Sequence, residues 1–98
     1  MSSERTFEAN SKTYRINAHS WRKIRIIDID ITDIIRIIET TQNVVKLKHK
    51  TEYIGCYTPR WAQRKSEDKS LTVKIVINTR STLTLKTIHN MGDCTDEE

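Results

Sequence analysis

Residues 17–40 read NAHSWRKIRIIDIDITDIIRIIET. The stretch divides into two helices at a sharp corner near Asp28-Ile29-Asp30. Asn17 can cap the first helix by accepting from the free N–H groups of its first turn. Ala18, Trp21, Ile24 and Ile27 then share one stripe, while His19, Arg22, Lys23 and Ile26 follow the 3, 4, 7 spacing of the adjoining side. Asp30 can cap a second helix, and Asp33 suits its positive end. Ile31, Ile34, Ile35 and Ile38 repeat at intervals of 3, 4 and 7. Isoleucine favours strands, and the short IDIDI alternation fits one. The caps and the later helical spacing decide for helix.

Beyond Asn43 the period becomes two. Val45 and Leu47 alternate with Lys46, Lys48 and Lys50, so the expected first strand has one apolar and one cationic face. Tyr53–Tyr57 reads as a second strand, ended by Pro59. Residues 59–70 form a charged loop around Trp61. Leu71–Asn78 sends Val73, Ile75 and Ile77 to one side and Thr72, Lys74 and Val76 to the other. Thr82–His89 is the last strand, and Thr13–Ile16 is a short candidate first one. The expected fold is α+β, with two N-terminal helices packed on one face of a four-stranded, mainly antiparallel sheet. Residues 13–90 make a single domain, between a disordered tail at 1–12 and an acidic tail at 91–98.

The chain has 98 residues, of which 36% are hydrophobic and 31% charged, so the core is small and aliphatic. No apolar run approaches the roughly 20 residues of a membrane span, and the first residues lack the apolar segment of a secretory signal. These features predict a cytoplasmic protein with no membrane partner. The formal net charge is +4, but residues 1–92 hold 17 cations against 9 anions, and the rest of the acid lies in the tail. A basic body points to nucleic acid, although ordinary soluble domains of this size share the bias. Cys56 and Cys94 show no ligand-pair spacing, so no metal site is expected, and two reduced thiols are the default for a cytosolic chain. Walker, dinucleotide-loop, HExxH and nucleophile-elbow motifs are all missing from the sequence.

If the strand registers hold, Lys46, Lys48, Lys74, Lys86, Thr72, Thr82 and Thr84 share the face away from the helices. Lysine charge and threonine hydroxyls suit phosphate contacts. A solvated sheet face carries the same residue types, and spacing alone does not separate the two readings.

The order His19-Ser-Trp-Arg22-Lys23-Ile, then Ile29-Asp-Ile-Thr-Asp33-Ile34, then a strand meander resembles the small RelE-like and BrnT-like ribonuclease toxins and related domains of the barnase–EndoU–colicin–RelE fold. The match spans roughly residues 13–90. It departs from the family at the corner, where Ile27-Asp28 replaces the usual Arg-Gly. The resemblance implies RNA cleavage without metal or other cofactor, by attack of the 2′-OH on the adjacent phosphate. Such a reaction needs a base, an acid and a cation for the phosphorane oxygens. His19 is the foremost candidate for proton transfer; Arg22, Lys23, Arg60 and Lys86 are candidates for phosphate charge. Thr87 and His89 could orient substrate or share proton transfer. Trp61, flanked by Arg60 and Arg64, could stack on a base, as could Tyr53 and Tyr57. His49 fits packing or a rim position. Expected partners are RNA or DNA and a cognate antitoxin or immunity protein. The alternative is a non-catalytic accessory protein, of a virus or mobile element, that binds nucleic acid or a host protein.

Overall fold

Thr6-Phe7-Glu8-Ala9 alternates polar and apolar residues. In the computed structural model, which describes residues 5–94, that alternation forms strand β1 (Arg5–Ala9), paired antiparallel with β2 (Lys12–Ile16). The expected disordered tail at 1–12 is thereby corrected over residues 5–12; residues 1–4 lie outside the described part. The turn takes two residues, Asn10 and Ser11, with φ of 53° and 64°. Positive φ at both positions matches the right-handed twist of the flanking strands. Phe7 stacks on Tyr14 with ring centroids 5.0 Å apart. The Asn10 N–H donates to Glu39 Oε2 at 3.1 Å and ties the turn to the second helix.

The remaining elements are α1 (Ala18–Ile27), α2 (Ile31–Thr40), β3 (Val44–Lys46), β4 (Lys50–Tyr57), α3 (Arg60–Arg64), β5 (Leu71–Asn78) and β6 (Thr84–Asp93). The sheet has six strands in the order β1-β2-β6-β5-β4-β3, and β2 runs parallel to β6. The four-stranded, mainly antiparallel sheet with two helices is therefore corrected to a curled, mixed six-stranded sheet with three helices. Two causes stand out. The N-terminal hairpin buries Phe7, Ala9, Tyr14 and Ile16 and so joins the sheet. The charged loop after Pro59 winds into α3 because Asp28 caps it: Trp61 N–H donates to Asp28 Oδ2 at 2.8 Å and Arg60 N–H to the Asp28 carbonyl at 2.9 Å.

The two long helices do different jobs. Helix α2 fills the concave side, burying Ile34, Ile37 and Ile38 among Phe7, Tyr14, Tyr57, Val73, Ile75, Ile77, Leu85 and Ile88. Across that concavity Tyr14 on β2 reaches Tyr53 on β4; burial, followed by the charge and hydrogen bond of Tyr53, pushes Tyr14 up to about 12. Helix α1 packs mainly against β6 instead. Strand β2 stops at Ile16 after Arg15 N–H has bonded the Leu83 carbonyl at 2.9 Å. The next carbonyl on that edge, Leu85, accepts from the hydroxyl of buried Ser20. So α1 takes over the edge of β6 where β2 leaves it.

Both cap assignments hold. Asn17 Oδ1 accepts from Ser20 N–H at 2.8 Å, and Asp30 Oδ1 from Thr32 N–H at 3.1 Å. The corner turns at Asp28, whose φ of 59° is left-handed. Tyr57 pins it by donating to the Ile27 carbonyl at 2.8 Å. Burial, with Asp28 and Asp33 nearby, pushes the Tyr57 hydroxyl up to about 12, so it stays a donor.

The expectation of two thiols is also corrected. Cys56 and Cys94 form a disulfide with Cα atoms 5.9 Å apart, joining β4 to the end of β6 across β5. The bridge closes a separation of 38 residues. Closing a loop of that length constrains the unfolded chain, and reduction is expected to cost about 2–4 kcal/mol. Urea denaturation with and without reductant measures this; coincident midpoints would show that the bridge adds nothing. Of the acidic tail, residues 91–93 belong to β6, Asp93 pairs with Lys69 at 3.0 Å, and 95–98 lie outside the described residues.

Candidate nucleic-acid interface

Strand parity assigns the convex face. Thr51 and Tyr57 are buried and Gly55 abuts Ile37, so these positions of β4 face α2. Lys50, Glu52, Ile54 and Cys56 therefore face outward. Their cross-strand partners on β5 are Asn78, Val76, Lys74 and Thr72, and β6 adds Thr84, Thr87 and His89 opposite Asn78, Val76 and Lys74.

Glu52 lies near the middle of this face with a side chain only 16% exposed. Lys50 Nζ is 3.8 Å from it and Lys74 Nζ 4.0 Å. Lys74 is in turn the direct neighbour of His89. Because α1 lies along β6, two of its side chains join the cluster. His89 is held below the usual histidine value, first by burial and then by the charges of Lys23, Lys74 and His19, while Glu52 opposes the shift. One face thus gathers two imidazoles, three lysines and a carboxylate from α1, β4, β5 and β6.

The expected site residues divide accordingly. His19, Lys23, Lys74 and His89 come together, and Thr87 shares their face two residues before His89. Arg22 is exposed and lines a different groove, on the other flank of α1. Lys46 pairs with Thr51 and sits on the helix-facing side, so the expected parity of β3 is inverted; Val45, opposite Glu52, is the outward residue and 41% exposed. The inversion is tolerated because β3 is a three-residue edge strand with little to bury. Lys48 and His49 belong to the turn after β3. Lys86 is exposed at a register shift of β6, between the partners of Val76 and Ile77, and Thr82 precedes that strand.

Arg60, Trp61 and Arg64 lie on α3 beside the α1–α2 corner. Arg60 lines a cleft there with Asp28 and Asp30. It adds to the lowering of the Asp30 carboxyl, which the Thr32 backbone and hydroxyl bonds dominate. Tyr53 and Tyr57 point inward and cannot stack on bases. Glu52, Arg5 and Arg25 were missed by the sequence reading. Carrying the β4 alternation back to Lys50 would have turned Glu52 outward beside Lys74; nothing local marks the arginines.

Among the described residues, no group of three His, Cys, Asp or Glu could hold a metal ion, and no helix is long and apolar enough to cross a membrane. No protein-family model, curated protein or solved structure matches the chain.

Proposed function

We propose that the convex face binds RNA and cleaves it without a metal. The observation that carries this reading is that Lys74 pairs across the strands with His89 and lies 4.0 Å from Glu52, while the charges of His19 and Lys23 on α1 reach His89. Neutral His89 takes the 2′-hydroxyl proton. The 2′-oxygen bonds to phosphorus, the bond from phosphorus to the 5′-oxygen breaks, and His19, as the general acid, supplies the proton that the leaving oxygen needs. The products are a 2′,3′-cyclic phosphate and a 5′-hydroxyl. Lys23 and Lys74 stabilise the phosphorane oxygens, and Glu52 holds Lys74 in place.

The test is incubation of the pure protein with total RNA in EDTA, scoring cyclic-phosphate ends. Salt-sensitive binding of intact RNA would select the non-catalytic reading instead, and absence of binding at low salt would remove both. A cytoplasmic location follows from this reading, and reducing conditions there would open the Cys56–Cys94 bridge. An antitoxin or immunity protein acting on this site would cover the Lys74–His89 region with carboxylates.

The His89 environment fixes the sign of a pH effect. Its folded value is below the unfolded 6.5, so between the two the unfolded chain binds more protons. Stability is therefore unaffected above pH 6.5 and declines as pH falls from 6.5 through the folded value. NMR titration of the His89 ring should give an apparent pKa below 6.5 that rises when a 3′-mononucleotide binds, since its phosphate offsets Lys23 and Lys74. A value that does not move with saturating nucleotide would place the phosphate elsewhere.

A further inference from the structure

Helix α1 carries cations on both flanks. Successive residues are about 100° apart around a helix, so His19 and Lys23 fall on the flank toward His89, and Ala18, Trp21 and Arg25 on the opposite one. Arg22 and exposed Ile26 form the crest between them. The second flank borders an open groove of about 510 Å³ lined by Arg5, Ala18, Trp21, Arg22, Arg25 and Ile26. Arg5 comes from β1, and its guanidinium carbon lies 4.3 Å from the centre of the Trp21 ring. Among the described residues, no carboxylate forms an ion pair with Arg5, Arg22 or Arg25. Three unpaired guanidiniums around one groove favour an anion with several oxygens. The stack on Trp21 fixes the Arg5 fork while leaving its N–H edge free for two of them.

We propose that this groove is a second phosphate subsite, engaging the same single-stranded RNA on the side of α1 away from His89. The inference rests on the RNA reading above. A single strand is favoured because α1 stands between the two cationic centres with Arg22 and Ile26, 71% exposed, at its crest. A flexible strand can bend over that ridge, whereas a stiff duplex would touch only one flank. Arg22 at the crest then contacts the phosphate in passage between the two.

The probe is a 2′-O-methyl oligouridine of about 12 nucleotides, a length such grooves span; its blocked 2′-oxygen prevents cleavage. Anisotropy titrations across a salt series compare the parent with R5A/R22A/R25A. Removing three phosphate contacts should flatten the slope of log affinity against log salt by about 2 and lower low-salt affinity about tenfold or more. An unchanged slope overturns the subsite. R22E changes only an exposed crest residue, so it tests the same contact if the triple variant fails to fold; it too should weaken binding about tenfold, and parental affinity would count against the proposal. A polyglutamate peptide of equal charge that competes as well as the RNA would reassign the groove to an acidic protein partner. Cleavage with an unchanged salt slope condemns the groove alone, whereas a flattened slope without cleavage condemns the catalytic reading alone.

Discussion

Replacing His89 with alanine is expected to lower RNA cleavage in EDTA by about 10²–10⁴-fold, the usual contribution of a positioned proton-transfer group. His89 is exposed on β6, so its removal leaves no cavity in the core. Its neighbours make it the better base of the two convergent histidines. Partial desolvation of the ring and the charges of Lys23, Lys74 and His19 all favour the neutral form that can accept a proton. Lys74→Gln removes one of those charges, so the acid limb of the pH–rate profile should move toward higher pH as the rate falls. A protein that merely binds RNA has no such limb. Cleavage by H89A at the parental rate would eliminate the assigned chemistry, and unfolding of the variant is checked by circular dichroism.

Replacing Ile37 with alanine is expected to cost about 2–5 kcal/mol in urea denaturation. Ile37 is 1% exposed on α2 and lies against β4 at Gly55. A Cβ added at Gly55 would stand 2.9 Å from both Cγ1 and Cγ2 of Ile37. Gly55→Ala by itself should therefore destabilise by about 1–3 kcal/mol through overpacking. The two changes share one space, so their combination should not add: in I37A/G55A the new methyl occupies part of the vacated volume. The double variant is expected to be more stable than the sum of the single losses by about 0.5–3 kcal/mol. Additive losses would mean that helix and strand do not meet here as closely as described.

The convex face explains why the site was only partly legible. His19 and Lys23 belong to one helical side on spacing alone, and Lys74 was rightly turned away from Val73, Ile75 and Ile77. Nothing in the spacing says that α1 lies along β6 rather than over the sheet. That position is fixed by long-range contacts, among them the bond of Ser20 to the Leu85 carbonyl 65 residues away and the packing of Ile24 into the core. Glu52 is hard to read because Tyr53 and Tyr57 dominate the apolar period of β4, and the Arg5 groove because β1 is a five-residue strand with only two buried side chains.

What the sequence alone determined was local: both helix caps, the helical spacing of the α2 isoleucines, and the inward register of Val73, Ile75 and Ile77. Those features depend on side chains reaching backbone groups a few residues away, or on a period that one segment carries by itself. What only the tertiary structure decided was which segments meet. The recruitment of the N-terminal hairpin, the parallel β2–β6 pairing, the capping of α3 by Asp28 and the Cys56–Cys94 bridge all join residues distant along the chain. The physical reason is that a polar edge or half-apolar strand has many possible neighbours, and only burial of the whole core selects among them.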